Sequence, residues 1–314
     1  MRNKKSSKKL FIVLLIALIV SLSACQASDQ TEVDQEAMQV MVSIVPQRYF
    51  VERIGGDSVT VSVMVEPGSS PATYEPKPEQ LTSLSNAAAY FSIGVPFESA
   101  WLDKIAEANS EMMMVDTIAN IERKPIEAHH HHEEEGEEDH DHAEDEHDHA
   151  EGAPDPHVWV SPELVKVQSQ AIYEALSELD PQHEADYKAN LEAFIADIDD
   201  LEADISATLS GLKSNKFMVF HPAWGYFGDD FGLEQIAVEV GGQEPSAQEL
   251  ANLIQEAKEE NIQVIFAQPE FSTQDAETIA NEIGGEVLLI SPLAPDWLQN
   301  LRNVAQTFSD VLNK

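Results

Sequence analysis

Met38-Gln-Val-Met-Val-Ser-Ile-Val45, closed by Pro46, is a short apolar run rich in β-branched residues. Its length and composition predict a buried strand. Working outward from it, Gln47 to Ile54 suits a helix that Gly55-Gly56 stops, and Val59 to Val65 alternates with four valines as a second strand. A loop rich in Pro, Gly and Ser follows from Pro67 to Pro78. Then come a helix over Glu79–Asn86, a strand over Ala88–Ile93, a helix over Trp101–Asn109 and a short strand over Met112–Val115. Strands alternating with helices predict α/β architecture with a parallel sheet.

The second half repeats this grammar. Ser161-Pro162-Glu163 opens a helix reaching about Leu179, with Ser as N-cap and Pro at the first helical position. After Asp180-Pro181, a long helix is expected from about His183 to Leu212. Tyr187, Leu191, Phe194, Ile198, Leu201, Ile205 and Leu209 recur along it at spacings of three and four, forming one apolar stripe. A strand over Phe217–Phe220 runs into His221-Pro222. Ser246-Ala-Gln-Glu249 is a capping box for a helix reaching Glu259. Val264–Ala267 and Val287–Ile290 read as strands, Gln274–Ile283 and Trp297–Leu312 as helices. Val40 to Pro46 with Tyr49-Phe50 parallels Phe217 to Pro222 with Tyr226-Phe227. Two similar lobes would place a cleft at the ends of their sheets, where open α/β sheets bind ligands.

The chain has 314 residues, 43% of them hydrophobic, and a net charge of −39. Setting aside the five basic and no acidic residues of 1–24 leaves −44. Such a surface repels nucleic acid and attracts cations, so no nucleic acid partner is expected. Residues 1–24 read as an export signal: a basic start (Arg2, Lys4, Lys5, Lys8, Lys9), an apolar run from Leu10 to Val20, then Leu22-Ser-Ala-Cys25. That last tetrapeptide resembles the lipobox of bacterial lipoproteins, which implies lipidation at Cys25 and an extracytoplasmic protein anchored to the membrane. Cys25 is the single cysteine, so no intramolecular disulfide is possible. Residues 25–37 form a polar tether, 38–181 an N-terminal lobe, 182–213 a linking helix and 214–314 a C-terminal lobe; a monomer is expected.

Residues 127–151 hold eight histidines (His129, His130, His131, His132, His140, His142, His147, His149) and thirteen acids, with nothing apolar larger than alanine. This composition cannot bury a core and predicts a disordered loop. Many weak imidazole and carboxylate donors suit collection of a divalent cation. Outside the loop stand only His157, His183 and His221. His183 reads as a surface residue. His157 lies in Asp155-Pro-His-Val-Trp159 just before a capped helix, and His221 at the end of a strand, each beside a proline that stiffens the backbone. Neutral imidazole is the commonest side-chain metal ligand, and with Cys25 at the anchor a metal here must be held by nitrogen and oxygen.

Ser43-Ile-Val-Pro-Gln-Arg-Tyr-Phe-Val-Glu-Arg-Ile-Gly-Gly56, Pro67-Gly-Ser-Ser-Pro-Ala-Thr-Tyr-Glu-Pro76, Asp155-Pro-His-Val-Trp-Val-Ser-Pro162, His221-Pro-Ala-Trp-Gly-Tyr-Phe227, Glu244-Pro-Ser246 and Ser291-Pro-Leu-Ala-Pro-Asp-Trp297 resemble, in that order, the zinc and manganese ABC-transporter solute-binding lipoproteins. The resemblance implies two α/β lobes joined by a rigid helix, a metal cleft between them, Zn2+ (or Mn2+) as the bound ion, and a permease and ATPase on other chains. It assigns His157 and His221 as ligands. The family's first histidine position is Ala72 here, and its usual later carboxylate is Ser291. Further donors are sought among Glu75, Glu98, Glu270, His147, His149 and water. The competing functional readings are a surface metal buffer or adhesin without transport, and a zinc-dependent hydrolase. Against the hydrolase, the sequence has no His-Glu-x-x-His motif; the chain also lacks a phosphate loop of its own.

Overall fold

Val40, Met41 and Val42 are buried because the strand they form, β1 (Met38–Val42), is flanked on both sides. In the computed structural model β1 pairs in parallel with β2 (Val59–Val63) and β3 (Ala89–Ser92), and β3 with β4 (Met113–Asp116), in the order β2-β1-β3-β4. A strand covered on both faces must be apolar throughout, and β3 (Ala-Tyr-Phe-Ser) is buried at every position. The structure describes residues 37–126, 153–239, 245–271 and 273–314. The signal segment, Cys25, nearly all of the tether and the histidine-rich run lie outside the described residues. Among those described, no helix is long and apolar enough to cross a membrane.

The C-terminal sheet repeats the N-terminal one. Strands β5 (Lys216–Val219), β6 (Glu234–Ala237), β7 (Val264–Ala267) and β8 (Glu286–Leu289) lie parallel in the order β6-β5-β7-β8. The sequence echo between Val40–Pro46 and Phe217–Pro222 therefore marks corresponding strands, the second in each sheet. Strand β6 was not legible beforehand: four residues of mixed polarity become a strand only by pairing with β5.

Helices α1 (Val45–Gly55), α2 (Pro78–Ser83) and α3 (Glu98–Ala108) connect the first four strands. Pro46 does not terminate a strand; it occupies the first turn of α1, where its missing N–H costs nothing. Helix α4 (Pro162–Leu179) begins as expected, with the Ser161 hydroxyl accepting from the Leu164 amide at 3.2 Å. The long helix α5 spans Glu184–Thr208, about 37 Å at 1.5 Å per residue. It ends short of Leu212 because the chain leaves the helical region at Gly211, whose φ is +73°. Helices α6 (Gly225–Phe231), α7 (Ala247–Glu259), α8 (Gln274–Ile283) and α9 (Trp297–Leu312) complete the second lobe. The Ser246–Glu249 capping box closes in both directions, at 2.6 and 3.3 Å.

Every residue of the expected α5 stripe is buried. Phe194 on that stripe lies 6.0 Å from Phe50 of α1 and 6.3 Å from Trp297 of α9, and Phe50 meets Trp297 edge-to-face at 5.2 Å. One hydrophobic core thus runs through both lobes, while a smaller cluster covers the far face of the second sheet. Polar contacts repeat the pattern: α5 pairs Asp197 with Arg53 of α1, Glu202 with Lys166 of α4, and Asp204 with Arg302 of α9.

Candidate metal centre

In an open parallel sheet the crevice lies beyond the carboxyl ends of the strands, where the strand order reverses. His221 occupies that place between β5 and β7. The Phe220 amide still bonds the Phe266 carbonyl at 2.7 Å, and the next residue, His221, has left the sheet. Gln268, just past β7, donates its side-chain amide to the His221 carbonyl at 2.8 Å. Glu239, just past β6, receives the His221 Nδ1–H at 2.5 Å.

His157 comes from the opposite side. Pro125 and Pro154 form an antiparallel bridge that brings together the two chain ends bordering residues 127–152. The Asp155 amide then donates to the Lys124 carbonyl at 2.8 Å. Asp155 Oδ1 accepts both the His157 amide (3.0 Å) and its Nδ1–H (2.7 Å), fixing backbone and ring together. The segment is tied to the C-terminal lobe through α6: Tyr226 Oη accepts the Lys124 amide at 3.1 Å and donates to the Asp155 carbonyl at 3.2 Å. Lys124 Nζ packs so close to Gly225 that a Cβ there would stand 2.9 Å away, displacing the end of the lysine side chain.

These supports bring His157 Nε2 to within 3.2 Å of His221 Nε2, with the rings 76° apart. Each Nδ1–H is committed to a carboxylate, so each neutral ring presents its Nε2 lone pair to the other. Two lone pairs at that separation repel unless a cation lies between them. Tetrahedral zinc with Zn–N bonds of about 2.0–2.1 Å holds adjacent nitrogens about 3.3 Å apart, close to the observed spacing. Burial holds His157 below the usual imidazole range, opposed by Asp155, so the ring keeps its ligating neutral form into mildly acidic conditions. The pair is walled by Phe271, stacked on His221 at 4.8 Å, and by Trp159, 5.2 Å from His157.

The other expected donors fall out differently. Glu98 is buried in the N-terminal lobe, where Oε1 accepts the Ile93 amide (3.0 Å) and the Ser43 hydroxyl, and Oε2 accepts the Gly94 amide (2.7 Å). Both oxygens organise the turn after β3, whose Gly94 has φ +80°, so Glu98 is a structural residue rather than a donor in the crevice. Glu75 and Ala72 are exposed, and Glu75 hydrogen-bonds to neither histidine. Glu270 is half-buried and accepts the Ser291 hydroxyl at 2.6 Å. His183 bonds Asp180 at 2.5 Å beside α5, away from the pair. His147, His149 and the rest of the histidine-rich run lie outside the described residues. Among those described, no group of three or more His, Cys, Asp or Glu converges on one point. Asp155 and Glu239 sit behind the rings. Sequence reading passed over both; only the Asp-x-His spacing at 155–157 hinted at one of them.

The family model for the periplasmic zinc-uptake complex component A matches residues 40–311. The zinc-binding protein AdcA of Streptococcus pyogenes serotype M3 is 29% identical over 90% of this chain and 56% of its own length. This chain therefore spans about half the length of those relatives. The high-affinity zinc uptake system protein ZnuA of Bacillus subtilis is 28% identical over 92% of this chain and 89% of that protein. A crystal structure of ZnuA is 44% identical with a TM-score of 0.79, covering 88% of this chain and 99% of that one. The laminin-binding protein of Streptococcus agalactiae, at 22% identity and a TM-score of 0.74, shares the fold over 88% of this chain and 100% of its own.

Proposed function

This chain belongs to the periplasmic zinc-uptake complex component A family, and from that premise we propose that it is the extracytoplasmic receptor of an ABC importer, capturing Zn2+ between His157 and His221. The observation that carries this reading is the 3.2 Å Nε2 pair, each ring backed by its own carboxylate. Imidazole donors favour zinc over manganese, which takes carboxylate and water more readily. In this role the protein binds and delivers its ion, and a separate permease and ATPase move it across the membrane. In this reading it is a carrier rather than an enzyme, because the two Nε2 lone pairs are turned toward each other as a ligand pair. Lipidation at Cys25 keeps the receptor at the membrane, the receptor acts as a monomer, and the histidines of 127–151 gather zinc.

Zinc titration of the mature protein, with and without residues 127–151, tests this. A tight one-to-one site should survive removal of the run, and the weak additional sites should vanish with it. A His157→Ala, His221→Ala double variant should lose the tight site; full retention of affinity would sink the reading.

A further inference from the structure

Resting on the reading of His157 and His221 as ligands, we infer that the Tyr226 hydroxyl is a positioning group for metal capture. It acts through Asp155 and sets the spacing of the two imidazoles. On one side, His221 runs through Pro222, Ala223 and Trp224 directly into α6, and these three residues and Tyr226 are buried. The Ala223 amide turns back to the His221 carbonyl at 2.8 Å, and Gln235 Oε1 accepts the Trp224 amide at 2.9 Å, so Tyr226 and His221 form one rigid piece. On the other side, His157 is fixed to Asp155 through both its amide and its ring. The 3.2 Å bond from Tyr226 Oη to the Asp155 carbonyl joins the two pieces. The facing Nε2 atoms close the same ring of contacts at its other end.

This hydroxyl is used to capacity. Its hydrogen goes to Asp155, and its oxygen accepts the Lys124 amide at 3.1 Å. One phenol therefore holds both chain segments where the Pro125–Pro154 bridge brings them together. The contact is reinforced from α6: Lys124 Nζ reaches Asp229 at 2.6 Å and lies 5.1 Å from the centre of the Tyr226 ring. Phenylalanine would fill nearly the same volume but leave the buried Asp155 carbonyl and the Lys124 amide without this partner. The His157 segment would then be less firmly placed against His221, and a site loose in its supports binds metal less well. The converse also holds. A zinc ion bridging the two histidines keeps Asp155 against Tyr226, so zinc binding and this hydrogen bond strengthen each other by the same factor.

The test compares Tyr226→Phe with Tyr187→Phe, which removes a hydroxyl of the same kind on α5, bonded to Asp180 at 2.9 Å and away from the pair. Thermal melting of each apo form controls for lost stability. Zinc affinity, by competition with a chromophoric chelator, should fall about tenfold or more in Tyr226→Phe and hold at the parent value in Tyr187→Phe. Cobalt(II) substitution reads the geometry independently of affinity: its visible d–d bands should shift in Tyr226→Phe alone. A measurement without mutation uses the reciprocity. In the parent protein, hydrogen exchange at the Lys124 amide should slow about tenfold on zinc saturation, beyond any change at the amides of β2. Parent affinity with an unchanged cobalt spectrum in Tyr226→Phe, an equal loss of affinity in both tyrosine variants, or Lys124 exchange indifferent to zinc would overturn this inference. Binding lost in the His157→Ala, His221→Ala variant would leave the histidine site standing in each case. Full binding by that double variant would instead overturn the site itself.

Discussion

Trp297 donates its indole N–H to the backbone carbonyl of Trp159 at 2.7 Å, across 138 residues of chain. Trp159 in turn donates to the Pro292 carbonyl, so the two indoles form a relay from the first turn of α9 to the loop that carries His157. Both side chains are almost wholly buried. The position of the loop that carries His157 is thereby set from α9 and the loop after β8.

Trp297→Phe keeps an aromatic ring against Phe50 and Phe194 but leaves the Trp159 carbonyl without its donor. An unsatisfied buried acceptor costs about 1–3 kcal/mol, and the lost ring volume adds to it. Chemical denaturation should show the midpoint falling with the slope unchanged. Zinc affinity should fall with it, because the His157 loop is no longer pinned.

Glu239→Gln addresses the support behind His221. A neutral amide is a weaker acceptor for Nδ1–H, so the ring is held less firmly in the orientation that turns Nε2 toward His157. Loss of such outer partners typically costs 10–100-fold in metal affinity. Calorimetric titration should give that reduction, with apo melting close to the parent value.

Asp230 gives the clearest pH signature. Asp230 is exposed at one edge, yet desolvation of the rest of its carboxyl, with Glu202, Asp229 and Glu163 nearby, pushes it up to about 6 against a hydrogen bond with Ser161. The folded state therefore favours the protonated form. This contribution to stability is complete below the ordinary aspartate range and is lost as pH rises through about 6. Asp230→Asn should melt higher than the parent at neutral pH, and the two curves should converge in acid. A constant offset at all pH values would contradict the assignment.

The parts of this molecule legible from sequence are those decided locally. The buried run at β1, the Ser161 cap, the Ser246–Glu249 box and the α5 stripe depend on neighbours within a few residues, and each is present in the structure. His221 could be singled out because it ends a strand, and His157 because it precedes a cap. What escaped is contact between distant elements. Glu239 follows a strand that exists only through pairing with Lys216–Val219. Glu98 looked like a free acid because nothing local reveals that Ser43, on another strand's end, would engage it.

The Pro125–Pro154 bridge makes the lobes tolerant of what is inserted between its two prolines. Because the chain ends bordering residues 127–152 already meet, whatever lies between them can lengthen, shorten or change composition while the lobes keep their register. The entropic penalty for a longer excursion grows only with the logarithm of its length. An insert of different length between these residues is therefore expected to leave the pairing of its flanks, and with it the placement of Asp155 and His157, undisturbed.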